Sequence, residues 1–105
     1  MVEYAVNLDT LFHSLSDPTR RDMLRRVSGC DLSVGQLVEC YDVSFAAVSK
    51  HLKVLETAGL VSKRKEGRHH IVSLEVDALK KADTYLEQYR CMWEGRYKKL
   101  DKLLT

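Results

Sequence analysis

Residues 44–61 read SFAAVSKHLKVLETAGLV, and the fold can be predicted outward from this stretch. Its apolar residues Val48, Leu52 and Leu55 recur at i, i+4 and i+7, which is the spacing of one face of an α-helix. The serine that opens the stretch is of a type that caps a helix start, and the glycine near its end is of the type that follows a helix end. A helix over about residues 45–58 is therefore predicted.

A shorter helix is predicted immediately before this one. Ser33 and Gln36 have the S-x-x-Q spacing of a capping box, which marks a helix start. Residues 41–43 (YDV) then interrupt the helical pattern. Two short helices joined by about three residues, the second with a polar outer face, are typical of a helix-turn-helix. We therefore predict a helix-turn-helix over about residues 33–58.

Two further helices are predicted nearer the N-terminus. Apolar residues recur at i, i+3, i+4 and i+7 from Leu8 to Leu15, which indicates a short amphipathic helix. Residues 16–18 (SDP) combine capping residues with a proline at the first helical position, so a second helix is predicted over about residues 18–28. Its arginines, which we expect to face mostly outward, are Arg20, Arg21, Arg25 and Arg26.

A β-hairpin is predicted after the helix-turn-helix, because the apolar period changes from 3.6 to 2 beyond Leu60. Residues 61–65 and 70–74 read as two strands around the glycine-bearing turn 66–68 (EGR). A basic hairpin directly after a helix-turn-helix is typical of the wing of a winged helix. The predicted fold is mainly α with a small β-hairpin, in the order α-α-α-α-β-β-α, and residues 1–105 form a single domain.

A long final helix is predicted over about residues 77–104. Apolar residues fall seven apart along it, and three heptads of such a seam indicate packing against a partner helix. We therefore predict a homodimer, with packing of the seam on its own domain as the alternative. The predicted dimer interface is Leu79, Leu86, Tyr89, Trp93, Leu100 and Leu103.

Positive charge is concentrated in the middle of the chain. Residues 44–70 carry a net charge of +4, whereas residues 1–43 carry −3 and residues 71–105 carry +1. Such a patch is typical of a phosphate-binding surface, although a solvated face gives the same pattern. Because a helix in the major groove reaches base edges with its N-terminal residues, we predict double-stranded DNA as the partner. The predicted DNA-binding residues are Ser44, Ala46, Ala47, Ser49, Lys50, His51, Lys53, Lys63, Arg64, Arg68 and His69. Phe45 is expected to be a packing residue.

The composition argues against several other classes of protein. The five glycines form no phosphate-cradling loop, and no cysteine or histidine fits a catalytic signature, so no enzyme and no cofactor is expected. No apolar run approaches the roughly 20 residues that span a bilayer, and the first residues lack the pattern of a signal peptide. A cytoplasmic protein without a membrane partner is therefore expected. The three cysteines contain no CxxC pair, which argues against a disulfide framework and a four-cysteine zinc site.

Several motifs resemble the ArsR/SmtB family of bacterial and archaeal repressors. They are LSDPTRR at 15–21, VSKHLKVL at 48–55, AGLV at 58–61 and EGR at 66–68. The resemblance covers nearly the whole chain, and it implies a winged helix-turn-helix repressor that dimerises through its terminal helices. Because a dimer presents two recognition helices to half-sites about 10 base pairs apart or a multiple of that spacing, we predict an imperfect inverted repeat as the operator. Residues 93–103 resemble a branch of the family that lacks metal sites.

The resemblance also bears on what the protein senses. Thiolate-type metal sensors carry a cysteine pair where residues 34–36 read VGQ, and zinc-type sensors use histidines of the last helix, where residues 76–105 have none. His69 and His70 are neighbours on a strand and point to opposite faces, so no metal site is expected.

Two alternatives stay open at the level of sequence. Some relatives sense oxidants or persulfides with cysteines near the second and last helices, and Cys30 with Cys91 loosely resembles this arrangement. A winged helix can also bind a protein partner, because a fold does not fix a function. The identity of an inducer is not predicted by these residues.

Overall fold

The computed structural model describes the backbone of residues 2–104 and the side chains of residues 8–90, 92–96, 98, 100 and 103. The elements follow one another as α1 (Val2–Ser14), α2 (Pro18–Gly29), β1 (Leu32–Ser33), α3 (Val34–Glu39), α4 (Phe45–Thr57), β2 (Val61–Glu66), β3 (His69–Leu74) and α5 (Val76–Leu104). The predicted winged helix is confirmed. α1 begins at Val2, six residues before Leu8, which is the first residue of its predicted apolar pattern.

The sheet has one strand more than the predicted hairpin. β1 pairs with β3 in antiparallel fashion, with Leu32 opposite Val72, so the strand order is β1-β3-β2. The prediction of a two-stranded sheet was wrong because two residues are too short to show a period of 2. The strand forms because the outer edge of β3 offers unpaired N–H and C=O groups.

The turn of the hairpin is tighter than predicted. Glu66 pairs with His69, so only Gly67 and Arg68 lie between β2 and β3. Gly67 has φ of 60°, a conformation that L side chains rarely adopt. A glycine at the first central position is what a two-residue turn of type II′ requires.

Local hydrogen bonds fix both ends of α4 as predicted. The Oγ of Ser44 accepts from the backbone N–H of Ala47 at 3.1 Å. At the other end Gly59 has φ of 77°, and the N–H of Leu60 reaches the carbonyl of Leu55 at 3.0 Å. This is the Schellman arrangement, in which Leu60 is drawn back onto the helix and is fully buried.

The N-terminal ends of α2 and α3 are also capped by side chains. Asp17 caps α2, because its Oδ2 accepts from the N–H of Arg20 at 3.0 Å. At α3 both halves of the predicted capping box are present: Ser33 accepts from the Gln36 N–H, and its own N–H donates to the Gln36 amide oxygen at 2.8 Å. α2 and α3 thus start as the sequence predicts.

The hydrophobic core lies between α2, α3, α4 and the sheet. Its fully buried side chains are Met23, Leu37, Val48, Leu52, Leu55, Leu60 and Val72. α5 contributes Ala78 and Ala82 to this core, both within its first two turns. Leu79 packs against this core and Tyr85 contacts Phe12 of α1, whereas the described side chains from Leu86 onward are exposed.

The shape of the chain reflects this long helix. The radius of gyration is 17.6 Å, compared with about 13 Å for a compact domain of this length. α5 has 29 residues and is therefore about 43 Å long. Among residues 2–104, no helix is both long and apolar enough to cross a membrane.

Candidate nucleic-acid interface

The outer face of α4 is polar and exposed. Val48, Leu52 and Leu55 bury one side of the helix. At 3.6 residues per turn the opposite side carries Ala46, Lys50 and Lys53, all of which are exposed. The predicted residues Ala47 and Ser49 are half-buried and flank this face on its two sides. The face combines small residues, which allow close approach, with two ammonium groups.

The start of α4 can bind an anion as well as cap the helix. The Oγ of Ser44 already accepts from the Ala47 N–H, but a hydroxyl also has a proton to donate. The unpaired N–H groups at a helix start add a partial positive charge. Ser44 can therefore keep its capping bond and donate to a phosphate oxygen at the same time.

One face of the hairpin continues the basic surface. Residues that pair directly across two strands lie on the same face of a sheet. Lys63 pairs with the buried Val72, and Lys65 pairs with His70, so these side chains share the face that is turned towards α4. Between that face and α4 lies an open cleft of about 460 Å³, bordered by Ser33, Val34, Gly35, Phe45, Ser49, Lys63, Arg68, His69 and His70.

Four cations of this region have no acidic partner among the described side chains. Lys50, Lys63, Lys65 and Arg68 are exposed and make no ion pair or hydrogen bond with any described residue. Lys53 lies 3.9 Å from the Glu56 carboxylate, but its side chain is 74% exposed, so the contact is weak. We call Lys50, Lys63, Lys65 and Arg68, together with the cleft between α4 and the hairpin, the basic cleft.

Arg64, in contrast, is held by the protein itself. It lies on the other face of β2, where its Nη2 donates to Asp31 at 3.1 Å and its Nε to Glu66 at 3.0 Å. A third donor, Nη1, bonds the Oγ of Ser73. The Glu66 and Asp31 carboxylates raise the pKa of Arg64. Although Arg64 was predicted to bind DNA, its guanidinium is turned away from the basic cleft and its charge is balanced.

His51 lies at the flank of α4 rather than on its outer face. Its side chain is 25% exposed, and its Nδ1 lies 3.3 Å from Nη1 of Arg20 and 3.9 Å from Oδ2 of Asp17. Arg20 is buried, which differs from the outward orientation expected for the arginines of α2. The reason is that carbonyls at the end of α1 need donors, and Arg20 donates to the carbonyls of His13 and Ser14.

Three residues at the basic cleft differ from what the sequence predicts. Phe45 was expected to pack, but it is 61% exposed, because it precedes the first buried position of α4 and borders the cleft. Lys65 and His70 were not predicted as contacts. A two-residue turn would have predicted them, because in that register Lys65 pairs with His70 and both lie on the same face of the hairpin as Lys63.

A second exposed surface runs along α5. It is apolar: the exposed fractions range from 47% for Leu86 to 83% for Leu103. Leu79 differs from the other predicted interface residues, because it packs against the core of its own chain. We call the exposed set the α5 face; it comprises Leu86, Tyr89, Met92, Trp93, Leu100 and Leu103.

Aromatic rings connect the α5 face to α1. The ring centroids of Phe12 and Tyr85 are 5.8 Å apart, and those of Tyr85 and Tyr89 are 5.4 Å apart. The hydroxyl of Tyr89, which lies 3.2 Å from that of Tyr85, raises the pKa of Tyr85. The two terminal helices therefore present one joined surface.

A charged cluster fastens the turn of the helix-turn-helix to α2. The Tyr41 hydroxyl donates to Asp22 at 2.6 Å, and Arg25 and Arg26 contact the same carboxylate at 2.6 and 2.8 Å. These donors, Tyr41 first, hold the pKa of Asp22 well below its usual range. Burial, and then the Asp22 carboxylate, raises the pKa of Tyr41 to about 12. The carboxylate of Asp22 is thus paired with donors of its own chain.

The cysteines and histidines form no cluster among the described side chains. Cys30 and Cys40 are exposed and free, and the Sγ of Cys40 bonds the Gln36 carbonyl at 3.3 Å. Cys91, the second member of the predicted thiol pair, lies outside the side chains that the structure describes. No group of three or more His, Cys, Asp or Glu side chains in the described part of the chain could hold a metal ion.

The amino-acid sequence is similar to those of known bacterial transcriptional regulators. The model of the arsR family of bacterial regulatory proteins matches residues 17–63, from the cap of α2 into β2. The HTH-type transcriptional regulator Rv2034 of Mycobacterium tuberculosis is 38% identical over 81 residues, which cover 77% of this chain and 76% of that protein. The transcriptional repressor SdpR of Bacillus subtilis is 32% identical, with 69% of this chain and 80% of that protein covered.

Solved structures extend the similarity to the whole fold. An ArsR-like transcriptional regulator from Rhodococcus sp. RHA1 is 31% identical, with a TM-score of 0.76 over 98% of this chain and 96% of that one. A crystal structure of another ArsR family transcriptional regulator has a TM-score of 0.79 at 29% identity and covers 86% of this chain and 93% of that one. The similarity therefore reaches beyond the helix-turn-helix to the hairpin and α5.

Proposed function

The chain belongs to the ArsR family of bacterial regulatory proteins, and from this premise we propose that it is a repressor that binds an inverted-repeat DNA operator as a homodimer. The observation that carries the proposal is the basic cleft. Its four cations have no acidic partner among the described residues, and they lie beside the exposed face of a helix that is suited to the major groove. Phosphates of duplex DNA supply the missing negative charge.

The residues of the interface divide into two groups by the chemistry they offer. Lysine and arginine side chains and the hydroxyl of Ser44 bind phosphates, which positions the protein without reading sequence. Ala46, Ala47 and Ser49 lie near the start of α4, from where they can reach base edges. Phe45 borders the cleft and supplies an apolar ring that suits a thymine methyl group. Sequence is therefore read by the first turns of α4.

The α5 face supports the homodimer. An isolated chain would leave the six large apolar side chains of this face at least 47% exposed. A second copy of the same helix covers such a surface with a matching one, as two-fold symmetric interfaces do. A two-fold dimer presents two copies of α4, and these fit half-sites about 10 base pairs apart or a multiple of that spacing.

Repression follows from occupancy of the operator. A dimer bound across a promoter excludes the transcription machinery from the same DNA. Because its proposed target is chromosomal DNA, we expect the protein to act in the cytoplasm.

The experiment that tests this function is selection of duplexes from a random DNA pool by the purified protein. The expected result is an enriched inverted repeat, bound more tightly than random duplex at physiological salt. Equal affinity for the enriched and random duplexes would contradict sequence-specific binding. A direct repeat or a single half-site would contradict the two-fold dimer but not DNA binding.

A further inference from the structure

Arg20 joins three elements of the structure through one guanidinium group. Its Nε donates to the carbonyl of Ser14 at 2.7 Å, and its Nη2 donates to the carbonyl of His13 at 3.1 Å. Its Nη1 lies 3.3 Å from Nδ1 of His51 on α4. The first two bonds hold the guanidinium at the end of α1. They thereby fix the position of Nη1 beside the imidazole of His51.

The contact with Arg20 determines which nitrogen of His51 carries the proton. A guanidinium has donors and no acceptor, so the hydrogen bond requires Nδ1 to be the acceptor. In a neutral imidazole the proton is then on Nε2. Arg20 therefore selects the tautomer in which His51 has a single N–H, at the end of the ring that is away from Arg20.

Asp17 is the other charged group beside this ring. Its Oδ2 lies 3.9 Å from Nδ1, and a proton on Nδ1 would be attracted to it. However, Arg20 is closer to Nδ1, and Oδ2 of Asp17 already accepts the backbone N–H of Arg20 at 3.0 Å. That backbone bond also lowers the pKa of Asp17. The geometry thus favours Arg20 as the partner of Nδ1.

The protonated nitrogen reaches the surface. Nε2 of His51 has no hydrogen-bond partner among the described residues, and no side-chain nitrogen or oxygen there is both buried and unpartnered. Nε2 is therefore accessible to solvent. It lies at the flank of α4, next along the helix to the exposed Lys50.

We infer that Arg20 is a positioning residue for DNA binding, which holds the His51 imidazole so that Nε2–H donates to a phosphate oxygen of the duplex. The inference rests on the proposed function, because it assigns a contact of the same DNA surface. Arg20 itself does not touch DNA in this arrangement, because its side chain is buried and three of its five N–H groups are directed at the two backbone carbonyls and at His51. Its contribution to affinity passes through the imidazole.

The main test is a double-mutant cycle on the affinity of the purified protein for a duplex that the wild type enriches from a random pool. Arg20→Lys keeps the charge but cannot hold three acceptors in a fork, and His51→Ala removes the imidazole. Each substitution is expected to weaken binding about fivefold, the equivalent of one hydrogen bond, and the double variant to be no weaker than either single one. Additive losses in the double variant would overturn the inference.

A matched control and a second readout separate positioning from folding. Arg21 is the neighbouring arginine and donates to the carbonyl of Leu15 at 2.8 Å, but it has no contact with His51. Arg21→Lys should therefore leave the affinity unchanged. Arg20→Lys should still lower the melting temperature without His51, because the bonds to the carbonyls of Ser14 and His13 are lost in either background, whereas its effect on DNA affinity should vanish without His51. An affinity loss that persists in the His51→Ala background would mean a structural role only.

Two measurements keep the inference falsifiable if Arg20→Lys does not fold. In the wild type, nitrogen-15 NMR at a pH where His51 is neutral should find the proton on Nε2; a proton on Nδ1 would overturn the inference. His51→Gln retains an N–H donor near the position of Nε2, whereas His51→Asn places its polar atoms near Nδ1. Gln should therefore preserve more DNA affinity than Asn, and the reverse order would overturn the inference.

The outcomes also distinguish this inference from the proposed function. If the wild type enriches no duplex at all, both fail together. If the wild type binds an enriched duplex and the cycle is additive, DNA binding stands and only the role of Arg20 is lost.

Discussion

The basic cleft and the α5 face are both exposed, but they differ in chemistry: the first is charged and the second is apolar. The cleft has positive charge without acidic partners among the described residues, whereas the α5 face has large apolar side chains that are at least 47% exposed. Elsewhere the chain balances such groups internally, as Asp22 does for Arg25 and Arg26. A surface whose charge or apolar area is not matched within its own chain therefore indicates the chemistry of its partner.

The two surfaces also differ in how their partners contribute energy. Covering an apolar side chain contributes about 1.5–3 kcal/mol and depends little on salt. Pairing a lysine with a phosphate releases a condensed counterion, so its contribution falls as the salt concentration rises. Salt should therefore weaken the DNA complex much more than the dimer.

The largest effect is expected when the α5 face is broken. Leu86→Asp combined with Leu100→Asp places two charges in the proposed interface, and the protein should become a monomer. Affinity for a full inverted repeat should fall by about 100-fold or more, because two linked half-sites are replaced by independent ones. Sedimentation equilibrium and fluorescence anisotropy with labelled operator measure the two quantities.

The control for this variant lies on the same helix. Thr84 is exposed on the side of α5 opposite Leu86, so Thr84→Asp adds a charge without touching the interface. It should leave both the dimer and the affinity unchanged. A dimer that survives the double aspartate substitution would show that the α5 face is covered in some other way.

The next largest effect is expected in the basic cleft. Lys63→Ala combined with Lys65→Ala removes two phosphate contacts per protomer and four per dimer. The slope of log affinity against log salt should decrease in magnitude by about 3.6, with a roughly 10- to 100-fold loss of affinity at moderate salt. Filter binding over a salt series gives both values.

Arg64→Ala is the matched control, because it removes a positive charge from the same strand. Its guanidinium is already bonded to Asp31, Glu66 and Ser73, so the salt slope should stay near that of the wild type. If Arg64→Ala and the lysine variant change the slope equally per charge removed, then internal pairing does not decide which cations bind DNA.

A smaller and more selective effect is expected for Phe45→Ala. The ring borders the cleft without carrying charge, so the salt slope should not change. Discrimination between thymine and the other bases should fall about tenfold at one position of each half-site. Binding to a set of operators with single base changes measures this, and a uniform loss across all positions would contradict a base contact.

Local features of the fold could be predicted from the sequence. The capping box of Ser33 with Gln36 and the glycine that ends α4 depend on residues within a few positions of one another. Periodicity likewise predicted α4 and the hairpin, because each has several turns or residue pairs of repeated pattern. Such signals are contained in a short window of the chain.

Long-range pairings were not predictable in the same way. Arg64 and Asp31 are 33 positions apart, and Arg20 and His51 are 31 apart. Which cation is balanced depends on how α2, the sheet and α4 pack, and no local spacing contains that information. The local charge therefore predicts a basic region, but it does not separate Lys63, which has no acidic partner among the described residues, from Arg64, which is paired with Asp31 and Glu66.

The smallest effect on DNA binding is expected for Asp22→Asn, because Asp22 is balanced by Arg25, Arg26 and Tyr41 away from both surfaces. The change should act on stability instead. The folded-state pKa of Asp22 is lowered, so its charged form stabilises the protein fully above the unfolded value near 4. That stabilisation is lost as pH falls from about 4 through the lower folded value.

Urea unfolding at two pH values therefore tests how much the charge of Asp22 contributes to the free energy of unfolding. At pH 7 the Asp22→Asn variant should be less stable than the wild type, and the difference should shrink at pH 3. Asp42→Asn is the control: Asp42 is exposed next to Tyr41 and has no hydrogen bond or ion pair with any described residue. It should change stability at neither pH. If Asp22→Asn lowers the free energy of unfolding equally at both pH values, then the carboxylate acts by its shape and not by its charge. Asp22 would then no longer be an example of a charge that is balanced inside the chain.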